Sequence, residues 1–235
     1  MSEYSQFCPI AKAMELLDER WTILIIRELL SGSRHFNEIR RGNPRMSSAL
    51  LAKRLRMLVR YELVERRQDG NRVVYTLTPA GQELYPIVEA IGIWGTRWAA
   101  DLGDQDLDPQ VLLWDVHYNI DHAVLPPGRT VVHFVFPEAD RDQDRWWLVL
   151  TADEADVCDA DPGHEVDVTV TADLRAFTAV WMGDRAWVEA LREGSIAIEG
   201  PPPLRRAFPT WLKLSMFADV PRVQPPEPSP TTTVQ

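Results

Sequence analysis

The sequence predicts an α+β protein of two domains, the first mostly helical with one β-hairpin and the second made of helices packed on a sheet. Three observations predict it. The 235 residues exceed the usual length of one domain. Apolar residues recur at helical spacing through most of residues 8–98, whereas several strand-length apolar segments follow residue 129. Residues 1–103 hold 15 Lys and Arg against 12 Asp and Glu, a net charge of +3, while residues 104–235 hold 10 against 23, a net charge of −13.

The composition is that of an ordinary globular protein, with 45% hydrophobic and 26% charged residues. The sequence opens with no secretion signal, and no apolar run reaches the ~18 residues of a membrane span, so we expect a cytoplasmic protein without a membrane partner. Two cysteines, Cys8 and Cys158, match neither a disulfide framework nor a metal-binding spacing. Motifs of nucleotide-binding loops, serine hydrolases and zinc proteases do not occur, so we expect no enzyme, no metal site and no cofactor.

Residues 46–63 predict a single amphipathic helix around which the first half is arranged. One face is an apolar stripe, formed by Leu51, Leu55, Leu58 and Val59. Another face carries small residues and then basic ones, namely Ser48, Ala49, Ala52, Lys53 and Arg56. Small residues let a backbone approach a surface and basic residues bind anions, as a helix in a DNA groove requires. Taken alone, the helix is equally compatible with a solvated basic face on a core helix.

Positive charge is concentrated around this helix although the whole chain carries a net charge of −10. Residues 34–72 hold 11 Lys and Arg against 4 Asp and Glu, a net charge of +7. A short predicted helix precedes residues 42–44 (Gly-Asn-Pro), which predict a turn, and Ser47 or Ser48 is placed to cap the basic helix. This order is that of a helix-turn-helix, and the concentrated charge indicates contact with nucleic acid.

Residues 64–77 predict a β-hairpin that turns at Asp69-Gly70. Arg66, Arg67 and Arg72 lie beside the turn. A basic hairpin directly after a helix-turn-helix is a wing; the alternative is a plain solvent-exposed hairpin.

A further helix is predicted to start at Thr78-Pro79. It carries a long apolar stripe, formed by Leu84, Ile87, Val88, Ile91, Trp94 and Trp98. The wing is too small to cover it, so we expect a homodimer interface, with Ile87, Ile91, Trp94 and Trp98 at its centre. The alternative is packing of this stripe against the second half of the same chain.

Several motifs of the first hundred residues resemble, in order and spacing, the HxlR-type winged helix-turn-helix transcriptional regulators of bacteria. They are Cys8-Pro-Ile, Trp21-Thr-Ile-Leu-Ile-Ile-Arg-Glu-Leu, Phe36-Asn-Glu-Ile, Leu51-Ala-Lys-Arg-Leu-Arg, the wing and Thr78-Pro-Ala-Gly. The resemblance implies a homodimer bound to a palindromic operator in double-stranded DNA. It implies a recognition helix at residues 47–60 in the major groove, and a wing at residues 64–77 on the backbone or in the minor groove.

The DNA-contacting residues that this resemblance and the basic face imply are Arg45, Ser47, Ser48, Ala49, Ala52, Lys53, Arg56, Arg67, Asn71 and Arg72. Ala49 and Ala52 stand where many members of the family have longer polar side chains, which favours thymine-methyl contacts over base hydrogen bonds. Some members sense oxidants or electrophiles through a cysteine near the N-terminus, where Cys8 stands. Cys8 lies at a predicted helix start, one turn from Lys12, and is a candidate redox sensor; the alternative is a buried structural thiol.

The second half predicts a sheet covered by helices. Predicted strands are residues 130–136, 146–151, 155–158, 166–171 and 194–200. Helices are predicted at residues 110–122 and 185–193. A third helix is predicted after the capping residue Asp173, and a fourth is predicted to start at Pro201. We expect this second domain to span residues 104–220, after a first domain at 1–103, and the Pro- and Thr-rich residues 221–235 to be a disordered tail.

Three segments of this domain resemble the sterol-carrier-protein fold, namely Trp147-Leu-Val-Leu, Val168-Thr-Val-Thr-Ala-Asp-Leu-Arg-Ala-Phe and Gly194-Ser-Ile-Ala-Ile-Glu-Gly. That fold encloses an apolar tunnel, which implies an apolar small-molecule or lipid effector. The implied ligand-binding residues are Trp147, Phe177, Trp181, Phe208 and Trp211. Aromatic side chains also fill solid cores, so a domain without a tunnel is the alternative. A lipid carrier that uses its winged helix only to dimerise is the alternative to a regulator.

Overall fold

The computed structural model describes residues 4–99 and 102–223. The first domain consists of α1 (Pro9–Leu17), α2 (Thr22–Ser31), α3 (Phe36–Arg41), α4 (Ser48–Arg60), β1 (Val64–Asp69), β2 (Arg72–Leu77), α5 (Pro79–Gln82) and α6 (Tyr85–Trp98). The second consists of α7 (Pro109–Tyr118), β3 (Thr130–Val135), β4 (Arg145–Leu150), β5 (Ala155–Cys158), β6 (Val168–Ala172), α8 (Leu174–Trp181), α9 (Trp187–Glu193), β7 (Ile196–Glu199) and α10 (Pro202–Trp211). Most of the tail predicted at 221–235 lies outside the described residues.

The core of the first domain joins α2, α3 and α4, and its largest members are Ile25, Ile26, Ile39, Leu51, Leu55 and Leu58, each at most 1% exposed. The predicted apolar stripe of α4 is therefore confirmed as the inward face. Ser47 is the residue that starts this helix, because its Oγ accepts a hydrogen bond from the backbone N–H of Leu50 at 3.3 Å.

The hairpin predicted around Asp69-Gly70 is confirmed. Strands β1 and β2 pair antiparallel from Val64 opposite Leu77 to Asp69 opposite Arg72. Gly70 adopts a φ of +55°, which a residue without a side chain adopts at little cost. The backbone N–H of Tyr75 donates to Arg34 O at 2.8 Å, so the wing is fixed to the segment that precedes α3.

The second domain is built on a five-stranded sheet of order β5-β4-β3-β6-β7. Strands β3 and β6 pair in parallel, and the other neighbours pair antiparallel. Side chains alternate between the two faces of each strand. One face is buried beneath helices and includes Phe134, Leu148 and Val170, each 0% exposed. The opposite face is half-exposed and carries His133 stacked on Trp147, with ring centroids 4.8 Å apart.

One predicted helix is shorter than expected. The segment predicted as helical over residues 110–122 ends at Tyr118. The side-chain amide of Asn119 donates to Asp115 O at 2.9 Å, and the backbone carbonyl of Asn119 accepts from Lys213 N at 2.9 Å. These bonds turn the chain towards α10 and stop the helix. Among the described helices, none has both the length and the hydropathy that a membrane span needs.

Candidate nucleic-acid interface

The outward face of α4 carries most of the residues predicted to contact DNA. Ser48, Ala49, Lys53 and Arg56 are exposed, and Ala52 is half-buried beside them. Positions 49, 52, 53 and 56 are three or four residues apart, so their side chains share one face of the helix. Neither Lys53 nor Arg56 forms an ion pair with any residue in the described ranges. Both cations are therefore available to phosphate groups.

Arg54 has a different role from the cations on either side of it. It is 5% exposed, and its guanidinium contacts Glu19 Oε2 at 2.5 Å and Arg20 O at 3.1 Å. These bonds hold α4 against the loop between α1 and α2, and the Arg54 side chain is turned away from the outward face. Its spacing from Leu51 and Leu58 could have revealed this in the sequence, because it lies three and four residues from members of the buried stripe.

The wing presents an exposed basic tip. Arg66, Arg67, Asn71 and Arg72 are all exposed. The Gln68 side-chain amide donates to Gly70 O at 2.9 Å and supports the turn. As on α4, the three wing arginines have no carboxylate within ion-pair distance in the described part of the chain. The hairpin therefore supplies a second group of cations near the recognition helix.

Two arginines around the turn of the helix-turn-helix complete this region. Arg45, predicted as a DNA contact, is exposed, but its guanidinium donates to Gln105 O at 2.5 Å and so links the turn to the start of the second domain. Arg40 was not among the predicted contacts. Its guanidinium donates to Ser48 Oγ at 3.2 Å, which places an exposed cation at the N-terminus of α4. The basic sequence around the turn is the signal that could have indicated it.

An exposed apolar stripe runs along α6. Ile87, Ile91, Trp94 and Trp98 are 48%, 50%, 62% and 60% exposed. The second half of the chain packs on α6 too, but on another side, where a Cβ at Gly92 would lie 2.2 Å from the ring of Phe217. About half or more of the surface of each predicted interface residue is therefore left open to solvent by the part of the chain that the structure describes.

The five aromatic residues predicted to bind a ligand do not form one site. Phe177, Trp181, Phe208 and Trp211 are at most 3% exposed and belong to the packed core between the sheet and the helices. Phe208 and Trp211 contact edge to face, with ring centroids 5.6 Å apart. Trp147 lies on the opposite face of the sheet. Within the described residues, no group of three or more His, Cys, Asp or Glu is placed to hold a metal ion.

Cys8 is the residue immediately before α1, and its side chain is half-buried. Both Cys8 and Cys158 are free thiols. The sensing role of Cys8 stays a prediction.

The two domains are joined through a buried polar contact. Glu28 of α2 is 3% exposed, and its carboxylate accepts hydrogen bonds from Trp114 Nε1 of α7 at 2.9 Å and from Arg27 at 2.6 Å. Tyr118 OH and Ser33 Oγ lie 2.5 Å apart. Glu28 in α2 and Ser33 just after α2 are thus in direct contact with α7, the first helix of the second domain.

His117 makes this interface sensitive to pH. Burial beside the rings of Trp114 and Tyr118 lowers the pKa of His117 from 6.5 to about 4. Between these two values the unfolded chain binds a proton that the folded chain does not. Above pH 6.5 this group therefore does not lower the free energy of unfolding. As the pH drops towards 4, the free energy of unfolding is expected to fall, with about 2 kcal/mol lost through His117 at pH 5.

Urea unfolding at pH 7 and pH 5 tests this expectation. His117→Gln removes the titrating group, so the drop in unfolding free energy between the two pH values is expected to shrink by about 2 kcal/mol. The exposed His164→Gln is the matched control and is expected to retain the full drop. An equal drop in the two variants would contradict the assignment.

The first domain matches the sequence profile described as HxlR-like helix-turn-helix over residues 16–102. YvaP of Bacillus subtilis, an uncharacterized HTH-type transcriptional regulator, is 38% identical over 98 residues, which cover 40% of this chain and 91% of YvaP. The HTH-type transcriptional regulator YodB of the same species is 36% identical over 95 residues, which cover 39% of this chain and 85% of YodB.

A solved structure matches a similar share of the chain. In the crystal structure of quinone-bound YodB from Bacillus subtilis, the matched region is 37% identical in sequence and spans 38% of this chain and 98% of the YodB chain, with a TM-score of 0.35. The second domain lies beyond the residues that match the family profile.

Proposed function

The chain belongs to the HxlR-like helix-turn-helix family of DNA-binding transcriptional regulators, and on that basis we propose that it acts as a homodimer on a palindromic operator. Helix α4 enters the major groove, and the wing contacts the backbone or the minor groove. The observation that carries this assignment is the outward face of α4, where Lys53 and Arg56 are exposed and form no ion pair with a carboxylate within residues 4–99 or 102–223.

The contact face favours phosphate binding over extensive base reading. Ala49 and Ala52 offer methyl groups, which contact thymine but donate no hydrogen bond. Lys53, Arg56 and the wing arginines supply charge, and neutralised phosphates account for much of the affinity of such complexes. Specificity then depends strongly on the spacing of the two α4 helices in the dimer.

The dimer is proposed to form through α6. Apolar residues that protrude this far into solvent usually mark an interaction surface. Phe7 and Ile10, at the start of α1, are 100% and 74% exposed and extend the apolar character of the first domain's surface. A second copy of the chain covers such a surface with the twofold symmetry that a palindromic operator requires.

The second domain is proposed to bind a small effector that modulates DNA binding. Its resemblance to sterol-carrier folds supports an apolar ligand. The indole N–H groups of Trp187 and Trp211 are buried without an acceptor in the described part of the chain, which is costly unless a bound molecule supplies one. Because four predicted ligand residues pack against the core, space for the effector is better sought at the edge of that core.

DNA binding is tested on a duplex selected from a random-sequence pool with the unsubstituted protein. Lys53→Ala and Arg56→Ala are each expected to weaken binding about tenfold. Because each removes a cation from a phosphate group, each should also lower the salt slope by about one. Fluorescence anisotropy at several salt concentrations measures both quantities.

Arg206→Ala is the control, because Arg206 is an exposed arginine on α10 in the other domain. It is expected to leave affinity and slope unchanged. If Lys53→Ala and Arg56→Ala behaved like this control, α4 would not be the DNA-contacting helix.

A further inference from the structure

A cavity of about 210 Å³ lies where the two domains meet. Its first-domain wall includes Glu28 of α2 and Gly42, the residue that follows α3. Its second-domain wall includes Trp114 of α7 and Trp181 at the end of α8. An apolar cavity of about 150 Å³ is known to hold one benzene molecule. The space between the domains is therefore large enough for a molecule with one aromatic ring.

Most of the cavity wall is apolar, with contributions from Leu107, Val111, Trp114, Tyr118, Trp181 and Met182. Indole and phenol rings favour stacking or edge contact with another aromatic ring. Their faces also attract cations, and a thioether such as that of Met182 contacts ring edges favourably. The wall is thus suited to an aromatic ring, with or without a positive charge beside it.

The charged groups of the wall favour the positive charge. Among the described residues, four carboxyl groups, those of Glu28, Asp106, Asp108 and Asp115, line the cavity with a single cation, Arg27, a formal net charge of −3 when all four are ionised. Burial raises the pKa of the Asp115 carboxyl, and a cation bound beside it would favour its ionised form. Arg27 is already paired with Glu28 at 2.6 Å. The three aspartates form no ion pair with any Lys or Arg that the structure describes.

Asp115 is the carboxylate best placed to receive a ligand. Its Oδ2 accepts a hydrogen bond from Trp181 Nε1 at 2.8 Å, which fixes the side chain beside an aromatic wall residue. Its Oδ1 accepts no hydrogen bond from any residue that the structure describes. A cation that contacts Asp115 would also lie near the Trp181 indole. Ion pairing and cation–π attraction would then act on the same group.

We propose that this interdomain cavity binds a small aromatic cation, such as a one-ring organic amine, with its ring among Trp181, Met182 and Val111 and its ammonium on Asp115. The assignment of this cavity as an effector site rests on the DNA-binding function proposed above, and it makes the cavity a second effector site, separate from the apolar site proposed at the edge of the second domain's core.

The cavity wall is mechanically connected to the helix-turn-helix. The Arg27 guanidinium donates to Gly42 O at 3.1 Å, and a Cβ at Gly42 would lie 2.1 Å from the Glu28 carboxylate. Gly42 begins the turn that leads to α4, so its position is set by residues in the wall. A ligand that prefers one arrangement of these residues would bias the placement of α4 and change operator affinity.

The site is tested first by titration calorimetry on the full chain with three probes of matched size: 2-phenylethylammonium, neutral 2-phenylethanol and anionic phenylacetate. The ammonium is expected to bind at least about tenfold more tightly than phenylacetate, with the alcohol between them. No binding of the ammonium at millimolar concentration, or equal binding of all three probes, would overturn the proposal.

Substitutions locate the binding. Asp115→Asn keeps an acceptor for Trp181 and removes the charge, so it is expected to weaken ammonium binding at least fivefold. Asp153→Asn removes an exposed charge elsewhere in the same domain and is expected to have no effect. Val111→Phe fills the cavity and is expected to abolish binding at an unchanged melting temperature. Equal affinities in Asp115→Asn and Asp153→Asn would place the ligand elsewhere, whatever the folding of Val111→Phe.

Coupling to DNA is measured separately, by anisotropy of the selected duplex with and without 2-phenylethylammonium at constant ionic strength. A change in DNA affinity of threefold or more is expected, and Asp115→Asn is expected to abolish it. Probe binding without any change in DNA affinity would overturn the effector assignment. Failure of the unliganded chain to bind any duplex would refute the proposed function, and the calorimetry would still decide whether the cavity is a binding site.

Discussion

Glu28→Ala is expected to lower the free energy of unfolding by about 3 kcal/mol, because it removes the acceptor at the centre of the domain interface. The Glu28 carboxylate is 3% exposed and is hydrogen-bonded by Arg27, Trp114 and Ser33. Alanine removes the carboxylate that accepts from the Trp114 indole N–H. Urea unfolding at pH 7 measures the loss.

Two companion variants separate the contributions of charge and hydrogen bonding. Glu28→Gln retains an acceptor for Trp114 but loses the charge that faces Arg27, so a smaller loss is expected than for alanine. Glu65→Ala removes an exposed carboxylate from β1 and is expected to change stability by less than about 0.5 kcal/mol. A loss below about 1 kcal/mol for Glu28→Ala would show that the interface tolerates an unpaired Trp114.

The double variant Trp94→Ala/Trp98→Ala is expected to raise the dimer dissociation constant at least about 100-fold. Buried tryptophans at the centre of an interface each contribute about 2 kcal/mol or more to association. Both side chains are about 60% exposed in the single chain, at 62% and 60%, so their removal changes the folding of the monomer little. Sedimentation velocity over a range of protein concentrations measures the constant.

Val188→Ala is the control for this experiment, because Val188 is 70% exposed on α9 in the second domain. It is expected to leave the dimer intact. The double variant should also bind the selected duplex more weakly, since one α4 helix reads only half of a palindrome. A monomeric unsubstituted protein at micromolar concentration, or a double variant that stays dimeric, would rule out α6 as the interface.

The first domain was predicted well because its signals are local. A capping serine at Ser47, an Asp69-Gly70 turn and an apolar stripe on α4 each depend on a few consecutive residues. These features determine where a helix starts, where a hairpin turns and which side of a helix is buried. The motifs that resemble the family lie on the same residues, so they predict the same helix and wing.

Of the five predicted ligand-binding residues, only Trp181 lines the proposed interdomain cavity, and the reason is physical. Hydrophobic patterns indicate which side chains leave water, but a filled core and a lined cavity produce the same pattern. Phe177 and Phe208 were therefore predicted as cavity residues although they pack against neighbours. The contact of Glu28 with Trp114 spans 86 positions, and no local pattern relates two such residues. The excess of carboxylates in the cavity comes from Asp106, Asp108 and Asp115 of the second domain, but the cavity itself forms only where α2 and Gly42 of the first domain close it.

The separation of Glu28 from Trp114 along the chain also has a consequence for the order of folding. Helices α2, α3 and α4 contact one another over short sequence distances, whereas β3 must wait for β6, which follows two further strands, to form its parallel pair. Short-range contacts form sooner than long-range ones, so the first domain is expected to fold ahead of the second. Glu28 is then hydrated in the early intermediate and loses its water only when α7 arrives. Removal of that water is then part of the free-energy barrier to docking of the second domain. In a chain that ends before Trp114, the Glu28 carboxylate would stay hydrated, and the surface of the first domain around it would stay exposed to solvent.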